Sequence, residues 1–433
     1  MGTNLASYRT ALKLLGDIRR PRAVWARERD ANIRRLVLEA YNRNTFYREL
    51  MDRHEIDPTR VEGASDLARF PVLTKADLLA AGEKLVTQGR KPLMALHTSG
   101  TSRLMGEVKL DQEGLNTVRS LVLYNTLLRG RISWRPLLGR VRILAVLMLG
   151  HSTHQLMALT PQWLTRIRYL DIGVSLDEML DAIRAFRPHV LHAYPSTLLR
   201  LARHIEEQGI CLDNRFFHVS SFAEMLDERL RIYLERVYQA PINNFYSTVE
   251  TVLLSKTCPK GRLHLTLPTL LHCDVIDSVT GAASNEGELC VTNLYNRCTP
   301  LIRYNLKDLV RLERGLCDCG WTTPLITCLA GRVSTLLRLP DGRTVSGFAL
   351  SDVPSRVPQV LQMQVVQSRL EEIACRVILD GSNDLGDTLA RIENEIRRII
   401  QHPGVRIVVE TVSELDTRGP GRKTPAVIPM EHS

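Results

Sequence analysis

The sequence predicts an α/β protein: a large N-terminal domain of mixed α/β layers with a β-rich subdomain, followed by a small α+β C-terminal unit. Three observations carry this. From Thr74 to about residue 250 short apolar runs alternate with helical patterns, between His264 and Leu312 the texture changes to short strands, and a separate series follows Gly331-Arg332. Alternation of strand and helix is the pattern of a mostly parallel sheet covered by helices.

Each element has its own local signal. Apolar positions recur three and four apart from Trp25 to Met51, the period of an amphipathic helix. The stretch from Asp57 to Gly82 reads as a turn, a short helix, the run Phe70-Pro71-Val72-Leu73 and a further helix opened by Thr74, with Asp77 at capping-box spacing. Strands are expected at Ile143 to Leu149, Val190 to Ala193 and Phe217 to Ser220, and helices at Leu176 to Phe186, Thr197 to Gln208 and Asp227 to Tyr238. Turn signals at Asp277 to Gly281 and at Asn285-Glu286-Gly287 punctuate the β-rich part.

Past Gly331-Arg332 the run Leu336 to Leu339, a Pro340-Asp341-Gly342 turn, strands at Met363 to Gln367 and Ala374 to Leu379, a helix at Asp387 to Gln401 and a strand at Val405 to Thr411 make a compact unit. The division that follows is 1–331 for the core and 332–433 for the C-terminal unit. Within the core, 1–80 is a helical segment and 264–331 the β-rich subdomain.

Composition narrows the class without naming a function. The chain has 433 residues, 44% of them hydrophobic and 24% charged, which fits a soluble globular protein of two or three structural units. The net charge of +10 is compatible with nucleic acid, an anionic membrane or an anionic small ligand. Its densest cluster, Arg19-Arg20-Pro21-Arg22 through Arg34-Arg35, has helical spacing and no interleaved aromatic platform, so it reads as the solvated face of a helix and not as a nucleic-acid surface. Residues 1–15 read as an amphipathic helix with no apolar core of signal-peptide length, and the run from Ile143 to Leu149 is too short to span a bilayer. A cytoplasmic protein is expected, with no membrane partner. Nine cysteines, an odd number scattered along the chain, argue for reduced thiols over a disulfide scaffold.

The loop His97-Thr98-Ser99-Gly100-Thr101-Ser102, followed by Arg103, Gly106 and Lys109, is rich in hydroxyls around a glycine. Small residues let backbone N–H groups approach a polyphosphate while hydroxyls donate further hydrogen bonds. Taken alone, the pattern is weak and reads first as a turn.

Downstream come Asn244-Phe245-Tyr246-Ser247-Thr248-Val249-Glu250, Gly287-Glu288-Leu289-Cys290-Val291-Thr292-Asn293, Pro300-Leu301-Ile302-Arg303-Tyr304-Asn305-Leu306-Lys307-Asp308, Gly331-Arg332 and Gly421-Arg422-Lys423. In this order the set resembles the adenylate-forming enzymes, and most nearly the phenylacetate–coenzyme A ligase branch with its relatives in capsule and natural-product gene clusters. Thr45-Phe46-Tyr47-Arg48 and Phe70 to Lys75 are similar to that branch as well, so the resemblance spans nearly the whole chain.

The resemblance implies a mobile C-terminal lid and a role for each matching residue. Thr98, Ser99, Gly100, Thr101 and Ser102 would hold the β and γ phosphates of ATP. Tyr246 would stack on adenine, with Ser247 and Thr248 beside the nucleotide, and Glu250 would hold Mg²⁺, a hard cation that takes oxygen ligands. Asp308 would accept hydrogen bonds from the ribose hydroxyls, Arg332 would lie near ribose and phosphate, and Lys423 would bridge the attacking carboxylate and the α-phosphate. Three departures stand out: Arg103 comes early in the phosphate loop, Val249 replaces a hydroxyl residue before the glutamate, and Val333-Ser334-Thr335 replaces an acidic hinge.

Two further groups complete the reading. Cys258, His264, Cys317 and Cys319 supply the donor set of a closed tetrahedral zinc site, structural in kind; buried free cysteines are the alternative. Ser221, Phe222 and Ala223 match the family strand and loop of the acyl pocket, and His151 follows an apolar strand at the end where α/β proteins gather ligands, although a helix cap or a satisfied histidine is the favoured account of that residue. The function implied is ATP-dependent activation of a carboxylic acid, aromatic by default, as an acyl-AMP, with transfer to coenzyme A. Transfer to an amine or a carrier protein, and a nucleotide-binding homologue without turnover, are the alternatives. A homodimer is admitted but not fixed by the sequence.

Overall fold

In the computed structural model, residues 5–97, 106–128, 140–315, 317–332, 337–345, 349–350, 353–381, 385–417 and 424–430 are described. The chain opens with helices α1 (Leu5–Asp17), α2 (Arg22–Arg43) and α3 (Thr45–Arg53). The apolar periodicity running through Trp25 to Met51 is thus divided at one residue. Asn44 accepts the Tyr47 N–H on its side-chain oxygen and donates to the Leu85 carbonyl, so its buried amide ends α2 and starts α3. α4 (Lys75–Ala81) begins with the expected capping box between Thr74 and Asp77. Leu73 and Tyr304 form a β-bridge, and the Arg303 guanidinium donates to the Phe70 carbonyl at 2.6 Å. Two segments that carried the resemblance therefore brace each other.

The hairpin of β1 (Met94–His97) and β2 (Glu107–Leu110) flanks the phosphate-loop sequence and leads into α5 (Gln112–Leu128). Then come β3 (Val141–Leu147), α6 (Ser152–Ala158), β4 (Thr165–Asp171), α7 (Leu176–Phe186), β5 (Val190–Ala193), α8 (Pro195–Glu207), β6 (His218–Phe222), α9 (Glu228–Tyr238) and β7 (Ile242–Tyr246). β8 (Ser255–Thr257), β9 (Leu263–Leu265), β10 (Leu271–Ile276), β11 (Glu286–Asn293), β12 (Leu301–Glu313) and β13 (Leu325–Arg332) follow with no helix between them among the described residues, so the β-rich part starts ahead of His264.

Among the described residues eleven of these strands form one sheet in the order β10-β11-β12-β13-β9-β8-β7-β6-β5-β3-β4. Its half from β4 to β7 is parallel and the rest antiparallel. β5 and β6 are buried along their whole length, as strands covered on both faces must be. α7, α8 and α9 cover one face, and the N-terminal helices with α5 pack on the other and on the antiparallel half.

The antiparallel half needs one glycine for steric reasons. Gly287 has φ +148°, and a Cβ there would lie 2.0 Å from the Ile276 carbonyl oxygen across the β10–β11 pair. Gly287→Ala is expected to destabilise the protein by about 2–4 kcal/mol, since both backbone strain and a backbone clash must be relieved; equilibrium denaturation checks it.

The C-terminal part has its own apolar core. β14 (Leu337–Arg338) pairs with β15 (Thr344–Val345), and β16 (Val360–Arg369), β17 (Glu372–Leu379), β18 (Arg406–Thr411) and β19 (Val427–Ile428) form a sheet in the order β18-β17-β16-β19. The helix Leu385–Ile400 packs on it through Ile392, Ile396 and Ile400. No helix among the described residues is long and apolar enough to cross a membrane.

Candidate functional site

The strand ends of the large sheet gather several of the residues singled out above. Tyr246 is the last residue of β7, and its hydroxyl donates to Asp308 Oδ2 at 2.5 Å. Asp308 lies in β12 opposite Arg332 of β13, so the Tyr246 hydroxyl meets a rung that β12 and β13 share. Irregular pairing between Asp308 and Val310, together with φ +59° at Lys307, distorts the strand locally, as bulges beside functional sites commonly do. The backbone of Arg332 is placed by this pairing; its side chain lies outside the described residues.

The turn after β7 carries the remaining nucleotide candidates. Ser247 is exposed, and the Thr248 hydroxyl lies 3.1 Å from that of Thr251. Val249, half-buried, packs against the main core, which gives the apolar side chain at this position a packing role. Glu250 is buried, and its carbonyl accepts an N–H from the Asn293 side chain at 2.7 Å. Asn293 closes the Gly287-to-Asn293 motif, so that motif ties the glutamate's turn to β11.

Thr98, Ser99, Gly100, Thr101, Ser102 and Lys423 lie outside the described residues. The chain entering the phosphate-loop sequence is nonetheless anchored: the Ser152 hydroxyl donates to the His97 carbonyl at 2.9 Å. Lys109 has its ammonium on the Glu83 carboxylate, which engages it structurally.

At the pocket positions, Ser221 donates to the Asn244 side-chain oxygen at 3.0 Å. Phe222 stacks on His192 with ring centroids 4.1 Å apart and packs at a tilt against Tyr194 at 4.8 Å. Ala223 takes φ +66° just past the end of β6, turning the chain sharply there. His151 is the residue before α6, half-buried, with no side-chain cap to that helix. A cavity of about 360 Å³ opens elsewhere, between α2 and β10, lined by Trp25, Leu267, His272 and Arg303 among others. Among the described residues, none of the nucleotide, acyl-pocket or metal candidates lines it.

The four metal candidates come together. The ligand atoms of Cys258, His264, Cys317 and Cys319 all lie within 4.8 Å of one another. His264 is buried, its Nδ1 is 2.9 Å from the Thr323 carbonyl, and its Nε2 faces Cys319 Sγ at 3.5 Å. A carbonyl can only accept, so Nδ1 carries the proton and Nε2 is free to ligate, the arrangement usual for histidine on a metal. Burial lowers the basicity of His264, raises the Cys258 thiol and pushes Cys319 up to about 12. A bound cation would compensate the charge such thiols take on when they ionise. The donor set therefore fits tetrahedral Zn²⁺ with no position left for a substrate.

The surroundings explain what such an ion would hold. Ile18, Trp321 and Leu325 make the apolar shell around the four donors. Thr322 donates its N–H to the Ile18 carbonyl at 2.8 Å, and its hydroxyl accepts from Trp25 Nε1 at 3.1 Å. The knuckle thus fastens the α1–α2 junction to the β-rich subdomain.

Sequence reasoning missed Thr323, Glu224 and Gln364. Thr323 orients His264 through its backbone carbonyl, which has no sequence signal. Glu224 meets Thr424, and Gln364 meets Asp416 and Pro425, contacts between segments that only the folded chain brings near.

No family model matches the chain. It is 22% identical over 357 residues to Protein CapK of Staphylococcus aureus, covering 81% of this chain and 78% of that protein. It is 26% identical over 403 residues to a phenylacetate-coenzyme A ligase of Thermus thermophilus, covering 90% of this chain and 85% of the relative. Its structure is similar to that of 2-hydroxyisobutyryl-CoA ligase in the postadenylation state, with TM-score 0.73, 15% identity and coverage of 94% and 91%. Against the same ligase in its thioesterification state the TM-score is 0.63, with 16% identity and coverage of 96% and 91%. The chain is thus similar in sequence, at low identity, to phenylacetate-coenzyme A ligases and Protein CapK, and it shares its fold with an acyl-CoA ligase that forms an acyl adenylate.

Proposed function

We propose that the protein is an ATP-dependent acid–thiol ligase that activates a carboxylic acid, aromatic by default, as its acyl-AMP and passes the acyl group to coenzyme A. The observation that carries this is the Tyr246–Asp308 hydrogen bond at 2.5 Å, with Asp308 paired to Arg332, a grouping of residues from β7, β12 and β13 that suits a nucleoside. Tyr246 offers a ring face for adenine and Asp308 a carboxylate for the ribose hydroxyls. Glu250 and the neighbouring Thr248 present oxygen donors that fit Mg²⁺, which would neutralise phosphate charge.

In the first half-reaction a substrate carboxylate oxygen attacks the α-phosphorus, and the bond to pyrophosphate breaks. In the second, the coenzyme A sulfur attacks the acyl carbonyl and AMP leaves. The chain contributes positioning and charge neutralisation, the larger part of catalysis for such transfers.

The test is ATP–pyrophosphate exchange with a panel of aryl and alkyl acids, followed by acyl-CoA formation. Exchange with at least one acid is expected; ATP binding without exchange on any acid overturns the reading in favour of a homologue without turnover. Asp308→Ala is expected to raise the KM for ATP by roughly tenfold to a hundredfold, because a charge-assisted hydrogen bond contributes about 1.5–3 kcal/mol. Initial-rate kinetics of the exchange reaction measure it.

A further inference from the structure

The C-terminal sheet is seated on the helical face of the large domain by a small apolar patch and a few polar contacts. Leu361, Ile378 and Leu415 join the core built by α7, α8 and α9. Beside them Arg200 Nε lies 2.7 Å from a Glu414 carboxylate oxygen, and Arg203 donates to the Ser413 carbonyl at 3.3 Å.

One contact reaches the residue that follows Lys423. The Thr424 N–H donates to Glu224 Oε1 at 2.9 Å. The same carboxylate accepts the Ser196 N–H at 2.9 Å and the Ser196 hydroxyl at 3.0 Å. Ser196 lies in the first turn of α8, where backbone N–H groups favour an anion, so Glu224 is held in one orientation. A second clamp acts within the C-terminal unit. Gln364, fully buried, donates to the carbonyls of Asp416 and Pro425, each at 2.9 Å, and accepts the Asp416 N–H at 3.1 Å. It ties together the two flanks of the segment 418–423.

We infer that Glu224 is a positioning residue for adenylation, latching the chain beside Lys423 onto the large domain while Gln364 joins the flanks of that segment. The inference rests on the ligase reading. A lysine acts on a developing charge only when its backbone is set to within about an ångström, and a misplacement of that size costs about a hundredfold. Glu224 directly follows Ala223, so the latch is anchored on the same turn as the proposed acyl pocket. Because it joins the two units in this arrangement, the latch serves the first half-reaction, and the second, which in the resembled family follows lid rotation, does not use it.

The experiment compares wild type, Glu224→Ala and Glu224→Gln in three measurements: pyrophosphate exchange, thioester formation from synthetic acyl adenylate and coenzyme A, and amide hydrogen exchange across 424–428. For Glu224→Ala the kcat of exchange is expected to fall about tenfold to a hundredfold. Its KM for ATP and its thioester formation stay near wild type, and amide protection at Thr424 is lost. Glu224→Gln recovers part of the rate, since its amide oxygen still accepts the Thr424 N–H. Wild-type exchange by Glu224→Ala, or an equal loss of both half-reactions with a lowered Tm, overturns the inference. Wild-type protein that exchanges with no acid overturns the ligase reading, and unchanged protection at Thr424 separately overturns the latch.

Discussion

Lys423→Ala is expected to lower pyrophosphate exchange by on the order of 10²–10³-fold, the cost of removing one preorganised donor from a developing charge. Thioester formation from preformed acyl adenylate should change little, because the lysine serves the step at phosphorus. KM for ATP should rise less than kcat falls, since the interaction strengthens on the way to the transition state. Gln364 holds Asp416 and Pro425, and Glu224 holds Thr424, the described residues on either side of the segment that carries Lys423. Exchange by Lys423→Ala at the wild-type rate would remove Lys423 from the mechanism.

Cys317→Ser is expected to reduce bound zinc from about one equivalent per chain to near none and to lower Tm by roughly 10 °C. A structural zinc contributes several kcal/mol to folding, and each kcal/mol moves Tm by about 2–4 °C in a mid-sized domain. The loss should appear first as loosening of the α1–α2 junction, which hydrogen bonds through Thr322 tie to the knuckle. Metal analysis of protein purified without added zinc and a melting curve together decide the matter. Metal-free wild type with the same Tm as the variant would return the four residues to ordinary buried thiols and a buried histidine.

Local pattern was enough to read the layering, because strand and helix periodicities are local. α7 and β5 fall where the apolar pattern placed them, and Asp227, expected to open a helix, is the N-cap of α9. The grouping of Cys258, His264, Cys317 and Cys319 was legible too, since three thiols and an imidazole are the donor set of a structural zinc site.

The division at Asn44 was not legible as a break, because the residue interrupts the helix through a buried amide bonded to Leu85 and Tyr47 while the apolar spacing runs on. Folding alone brings Tyr246 to Asp308 and sets Asp308 opposite Arg332, since these pairs depend on a contact across 62 residues and on a strand register that no local pattern encodes. The same holds for Glu224 and Thr424, which meet across 200 residues. Propensity and capping act over one or two turns, whereas a latch between two units depends on how packed faces set distant backbone atoms within hydrogen-bond reach.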